Sequence, residues 1–178
     1  MILRHPLSRR SFLAGISAAG GGMTLSFAIP FTSARAASPP QPSAEEADEV
    51  TAWLAIGADD SIVIRVAHAE MGQGAQTGLA MLVAEELECD WTKVRAELVS
   101  AGENLRRHQI WGDMSTGASR SIASSQLFLR QAGAVAREML IAAAAARWQV
   151  PAAECFAQMS AITHRPSGRK VTFGAVAV

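Results

Sequence analysis

From residue 119 to residue 148 the chain carries no proline and one glycine, and its residue types favour helix throughout. A helix of that length draws most of its stability from laying one face on other elements, so it constrains the fold more than any other feature. Helical spacing puts Phe128, Ala132, Val135, Met139 and Ala143 on the expected buried stripe, with Arg130, Arg137 and Glu138 at least partly solvated. The five alanines at 142–146 allow close packing against a sheet.

The elements available to cover that stripe are short. Residues 51–56 and 62–66 are β-type runs around Gly57-Ala58-Asp59-Asp60-Ser61, which reads as a hairpin. Residues 75–87 follow with Leu79, Leu82, Val83 and Leu87 on one helical face. Residues 93–99 alternate Val94, Ala96 and Leu98 with Lys93, Arg95 and Glu97, the pattern of a half-buried strand. The polar stretch 100–118 reads as loop. Pro151 opens a short turn of helix, and 156–163 with 170–173 suggest a hairpin around Arg165-Pro166-Ser167-Gly168. The expected class is α+β, with short hairpins and strands packed against two main helices and no internal repeat.

Composition narrows the function. With 49% apolar residues in 178, the chain can fill the core of one ordinary domain. Sixteen basic residues balance sixteen acidic ones, which argues against a nucleic-acid module. The balance conceals an asymmetry: residues 1–36 hold Arg4, Arg9, Arg10 and Arg35 and no acid, leaving the remainder mildly acidic. That first segment has a basic start, an apolar Ala- and Gly-rich stretch over 12–29 and an Ala34-Arg35-Ala36 cleavage site, the layout of an export signal. Four glycines dilute the apolar stretch and the cleavage site follows it, which weighs against the alternative of a membrane anchor. Ser8-Arg9-Arg10-Ser11-Phe12-Leu13 resembles the twin-arginine motif, whose route exports folded cargo and thereby hints at a cofactor inserted beforehand. Residues 37–49, rich in proline, serine and acid, read as a flexible tether, with globular sequence from near Val50.

Two segments carry residues suited to chemistry. Glu70-Met71-Gly72-Gln73-Gly74-Ala75-Gln76-Thr77 joins a strand to a helix. Its glycines let the backbone bend close to a ligand, and the helix start offers N–H groups to an anion. Gln73 adds an amide that both donates and accepts. The same residues also suit a plain strand-to-helix turn. Gly112-Asp113-Met114-Ser115-Thr116-Gly117-Ala118-Ser119-Arg120-Ser121 opens the long helix with small hydroxylated residues, and Arg120 supplies a fork of donors. Simple capping by Ser115, Thr116 or Ser119 is the alternative there. A nicotinamide-dinucleotide fold is disfavoured, because the glycine pattern is Gly-x-Gly-x-x-Thr, the preceding unit reads as a hairpin and no acid closes the next strand. His68, His108 and His164 lack metal-ligand spacing, and His68 is expected to be a satisfied structural residue, a place at the edge of a site beside Glu70 being the alternative. Glu85, Glu86 and Glu88 read as a solvated helix face, and Cys89 and Cys155 as core thiols, pairing in an oxidising compartment being the alternative.

Taken together, E-M-G-Q-G-A-Q-T, the helix ending A-E-E-L-E-C-D-W, the loop T-G-A-S-R-S, the helix L-R-Q-A-G-A-V-A-R-E-M-L-I-A-A-A-A-A-R-W and the closing I-T-H-R-P-S-G-R-K-V-T-F-G-A-V-A resemble one family. It is the molybdopterin-binding large subunit of xanthine dehydrogenases and aldehyde oxidoreductases, and within it the exported isoquinoline 1-oxidoreductase β-subunit branch. The resemblance implies a portion of a molybdopterin-binding domain that hydroxylates N-heteroaromatic or aldehyde substrates with oxygen from water. It implies molybdenum on a pterin dinucleotide, commonly the cytosine form. It also implies [2Fe–2S] clusters on a separate small iron–sulfur subunit, the remainder of the large subunit as partner, a membrane-bound cytochrome as a further electron acceptor, and export to the periplasm by the twin-arginine machinery. By resemblance Gln73 approaches the molybdenum oxo group, Gly72 and Gly74 shape its loop, and Gly117, Ser119 and Arg120 lie at or near the cofactor. The family's Gly-Gly-Ser reads Gly117-Ala118-Ser119 here.

The family's catalytic glutamate stands in a Gly-x-Gly-Glu segment that these residues lack, and neither Glu70 nor Glu103 takes its place. The family subunit is several times longer, and 173–178 reads as the entry to a helix. The expectation is therefore an N-terminal piece that alone neither holds the cofactor tightly nor turns over, with apolar helix faces left open. The rival is a small exported binding or assembly protein that reuses the fold without catalysis.

Overall fold

A computed structural model describes residues 48–177; the export signal and residues 37–47 of the tether lie outside them. The architecture is α+β, with two small sheets and two main helices. The first sheet holds β1 (Asp48–Thr51), β2 (Leu54–Ile56), β3 (Ile62–Val66) and β4 (Val94–Leu98) in that order. β1 starts inside the stretch read as tether, and the run 51–56 divides, because the chain reverses between Thr51 and Leu54. β2 and β3 form the expected antiparallel hairpin. β3 then pairs parallel with β4 after a crossover through α1 (Ala75–Leu87), so the same strand closes a hairpin and opens a βαβ unit.

Asp60 secures the hairpin turn to the far end of the chain. It sits at φ 66°, accepts from Gly174 N at 2.8 Å and pairs with Lys93 at 3.2 Å. Burial pushes its carboxyl up, but the Thr172 hydroxyl, the Gly174 N–H and Lys93 together hold it below the usual range. A depressed folded-state pKa means stabilisation that is complete above the unfolded value near 3.9 and lost as pH falls through the folded value. Asp60→Asn is therefore expected to cost about 1 kcal/mol at neutral pH. Urea midpoints should show that deficit closing as the pH falls below about 4.

Residues 100–118 are not all loop, contrary to the sequence reading. α2 (Ala101–Arg106) forms there because Ser100 Oγ accepts from Glu103 N at 3.0 Å, the first half of a Ser-x-x-Glu capping box. Trp111 pins the rest: its indole donates to Ala52 O at 2.9 Å, its ring lies under Arg107, and it packs with Ala67 and Val99.

α3 (Arg120–Trp148) is the long helix, and its buried face differs from the expected one. Ser125, Leu129, Gly133, Ala136, Leu140, Ile141, Ala144 and Ala145 are buried, whereas Phe128, Val135, Met139 and Ala143 are exposed and Ala132 is intermediate. The reason is the closeness of α1. A Cβ on Gly133 would lie 2.4 Å from Val83 O, so the line of contact runs through the smallest residue and the bulky side chains turn away. Glu86 belongs to this crossing and not to a solvated face: its carboxylate holds Arg130 at 2.7 Å and its carbonyl accepts from Arg137 at 2.8 Å.

Past a single 3₁₀ turn at Ala152–Glu154, the second sheet is a meander of β5 (Cys155–Gln158), β6 (Ala161–His164) and β7 (Lys170–Thr172). The run 156–163 is itself a hairpin, turning at Met159 and Ser160 with φ 50° and 58°. α4 (Gly174–Ala177) follows β7. Cys89 and Cys155 are free thiols, with burial pushing Cys89 up to about 12.

Candidate functional site

Parallel pairing of β3 and β4 makes both strands end at the same edge of the sheet, so the segments after them emerge side by side. The crevice outside such carboxyl ends is where open α/β sheets receive ligands. The helices add to this. Gly78 lies against Ile122 near both helix starts, and Val83 lies against Gly133 further on, so α1 and α3 run in the same direction with their N-terminal ends together.

The two segments singled out in the sequence are joined by hydrogen bonds. Ala69 N donates to Thr116 Oγ1 at 2.8 Å. His68, buried, lies 2.9 Å from Ser115 O through Nδ1 and 3.2 Å from Ser125 Oγ through Nε2. A carbonyl only accepts, so Nδ1 carries a proton, and Nε2 faces a hydroxyl able to donate. His68 is the satisfied structural histidine the sequence led one to expect, and it fastens one loop to the other.

Within the first loop Gly72 and Gly74 adopt φ 93° and 74°, the left-handed conformations for which glycine is suited. The N–H groups expected to await an external anion are already engaged, which corrects that expectation. Glu70 Oε1 accepts from Gly72 N at 2.7 Å and Gly74 N at 3.0 Å, and Oε2 accepts from Gln76 N at 3.0 Å. These N–H groups, Gln76 foremost, hold the Glu70 carboxyl below the usual range. Gln73 folds back: Oε1 accepts from Met71 N at 2.5 Å and Nε2 donates to Ala69 O at 2.7 Å. An amide nitrogen carries two protons, so one donor of Gln73 remains for a ligand.

The second loop does not cap its helix by any of the three hydroxyls considered. Ser115 is turned onto Asp113, Thr116 receives Ala69 N, and Ser119 makes no side-chain capping bond. Ser119 and Ala118 both sit in the left-handed region, at φ 54° and 50°. That conformation costs a non-glycine residue about 1–2 kcal/mol. Ala118→Gly relieves that strain and loses part of it to the flexibility of the unfolded chain. We expect a net gain of about 0.5 kcal/mol in chemical denaturation; a loss would mean that the Ala118 methyl packs usefully. The Arg120 guanidinium makes no hydrogen bond or salt bridge among the described residues, though its backbone N donates to Gly117 O and its carbonyl accepts from Ser124 Oγ, and its charge helps Ser115 depress the Asp113 carboxyl. Beside it a cleft of about 220 Å³ is lined by His68, Trp111, Asp113, Ser115, Arg120 and Phe128, among others. Gly72, Gln73, Gly74, Gly117, Ser119 and Arg120 are all exposed at this end. Among the described residues no cluster of His, Cys, Asp or Glu could hold a metal by itself.

The model of the molybdopterin cofactor-binding domain family matches residues 11–178. The chain belongs to that family. It is 37% identical over 174 residues to the isoquinoline 1-oxidoreductase subunit beta of Brevundimonas diminuta, covering 94% of this chain and 21% of the relative. It is 34% identical over 170 residues, with the same coverages, to a membrane-bound aldehyde dehydrogenase [pyrroloquinoline-quinone] of Gluconacetobacter polyoxogenes. Among solved structures it resembles quinoline 2-oxidoreductase from Pseudomonas putida 86, at 15% identity and a TM-score of 0.44, over 70% of this chain and 15% of that one. The chain spans about a fifth of the length of the curated relatives.

The donor set present suits the group this family is named for. Gln73 retains a neutral N–H, the Arg120 guanidinium has no hydrogen-bonded acceptor among the described residues, and Ser119 at the start of α3 makes no side-chain capping bond. Those are the complements of an oxo-metal ligand and of an anionic pterin tail.

Proposed function

We propose that this chain is the N-terminal part of an exported molybdenum hydroxylase large subunit that oxidises an N-heteroaromatic or aldehyde substrate, and that its loops 69–74 and 115–120 form one wall of the cofactor site. The observation that carries this reading is the Ala69–Thr116 and His68–Ser115 junction, which sets Gln73 and Arg120 on one united surface. When bound, the molybdopterin group supplies molybdenum as the two-electron acceptor and delivers oxygen drawn from water. The remaining Gln73 N–H would donate to an oxygen on the metal, while Gly72 and Gly74 keep the loop close. Gly117, Ser119 and Arg120 would hold the anionic tail, of cytosine-dinucleotide form. The catalytic glutamate, the rest of the enclosure and the [2Fe–2S] clusters would come from outside these residues, the clusters on a small subunit and a membrane-bound cytochrome serving as a further electron acceptor. Export would use the twin-arginine route, with cleavage near Ala36.

A chimera tests the reading. Residues 1–178 replace the matching segment of the Brevundimonas subunit, and the exported protein is assayed for molybdenum, pterin and oxidation of an N-heteroaromatic compound. Retention of metal and activity is expected, with at least a tenfold loss of kcat in the Gln73→Ala chimera, on the order of one transition-state hydrogen bond. A folded, exported chimera without molybdenum would favour the non-catalytic binding or assembly role. Quinone in place of molybdenum would align the chain with the cofactor named in its second relative.

A further inference from the structure

The Gly-Gln-Gly loop has an organiser that the functional reading does not use. Glu70 is solvent-facing, yet its two oxygens take three backbone N–H groups in succession, at positions 72, 74 and 76. A carboxylate placed this way does what a bound anion does at a helix start: it completes the donors and complements the dipole. Gln73 lies between two of those donors, and both ends of its amide are committed to the same loop, at Met71 N and Ala69 O. With the backbone of 72–76 gathered on the carboxylate, the amide has one free N–H and a fixed base. Without it, the two left-handed glycines that flank Gln73 lose the N–H bonds that hold their conformation.

We propose that Glu70 is a positioning residue, the resident anion of this loop, which reserves its N–H groups from external anions and fixes the Gln73 amide for presentation to a ligand. The presentation half rests on the cofactor reading above; the occupancy half does not. A consequence follows for ligand placement. Phosphate groups of a dinucleotide are directed away from α1 and toward the start of α3, where Arg120 stands, so the first loop offers a neutral donor and the second an anion seat.

The test uses the 178-residue chain, ¹⁵N-labelled, with sodium acetate as probe. In the wild type, acetate should leave the amides of Gly72, Gly74 and Gln76 unmoved. In Glu70→Ala those amides should exchange several-fold faster, and the two side-chain N–H signals of Gln73 should converge toward those of a free amide. Acetate should then shift all of them back toward wild-type positions, a rescue that a purely structural role would not give. Glu70→Gln serves if the alanine variant does not fold. It keeps one acceptor oxygen for the two glycines, so Gln76 alone should lose protection. Acetate-induced shifts in the wild type would mean the seat is open and overturn the proposal. So would Gln73 signals unchanged in Glu70→Ala. Because the readout needs no cofactor, failure of the molybdenum reading would leave the occupancy half standing and remove only the presentation half, and failure of this test would not touch that reading.

Discussion

Gly133→Ala should destabilise the protein, although alanine is the better helix former by about 1 kcal/mol. The new methyl would lie 2.4 Å from Val83 O, 3.0 Å from the Glu86 Cβ and 3.2 Å from the Val83 carbonyl carbon. Backbone atoms of a neighbouring helix cannot swing aside as the tip of a side chain can. The helices must separate, and Leu79, Val83, Leu129 and Leu140, all nearly inaccessible, lose contact together. Overpacking of this kind costs about 1–3 kcal/mol for alanine beyond the propensity gain, and more for valine. The ion pair of Glu86 with Arg130 and the Arg137 bond to Glu86 O would be strained by the same shift. Gly102→Ala in α2 is the matched control: its nearest neighbours lie at 3.8 and 4.0 Å, so only propensity changes and stability should rise slightly. Guanidinium midpoints that move in opposite directions for the two variants are the expected result. A rise for both would mean that α1 and α3 do not approach so closely.

The same glycine explains what could and could not be read from the sequence. α1 was legible because Leu79, Val83 and Leu87 recur at helical spacing on one face and are buried as that pattern requires, although Met81 is exposed and Leu82 half-buried. α3 was legible as a helix but not as a facing. Small or apolar residues occur all round it, so size decides which side meets α1. The line Leu129–Gly133–Ala136–Leu140–Ala144 admits a close neighbour; the line Phe128–Val135–Met139 does not. Phe128 instead meets Trp53, with ring centroids 5.0 Å apart, and Val135 and Met139, expected in the buried stripe, stay open. α2 carried a signal in Ser100 and Glu103 that the polar composition around it obscured. The turn at Met159 and Ser160 carried none, since it lacks the Asn or Gly such turns favour. At the site, Gln73 and its glycines stood out by type. Glu70 did not, because an exposed carboxylate looks solvated until the spacing of positions 72, 74 and 76 is set against the backbone. The joining of the two loops was beyond sequence altogether: forty-seven positions separate His68 from Ser115.

His68→Ala is expected to loosen that junction and lower stability by about 2–3 kcal/mol, the sum of two buried hydrogen bonds and a cavity the size of an imidazole. The Oγ of Ser125, a residue 1% exposed, and Ser115 O would both lose a partner. The effect reaches past stability, because Ser115 and Thr116 lead directly to Gly117, Ser119 and Arg120, while His68 and Ala69 lead to Glu70 and Gln73. His68→Asn should recover part of the loss, since its amide nitrogen can stand where Nδ1 stands and donate to Ser115 O. Thr116→Val removes the second tie, Ala69 N to Thr116 Oγ1, and leaves the first. If the two ties hold one junction, the double variant His68→Ala/Thr116→Val will be more stable than the sum of the single losses implies, by about 0.5–1 kcal/mol. Additive losses would mean that the loops are held apart from each other by the rest of the fold, with each bond stabilising only its own segment. In that case the wall proposed for the cofactor would have to be assembled by something other than this histidine.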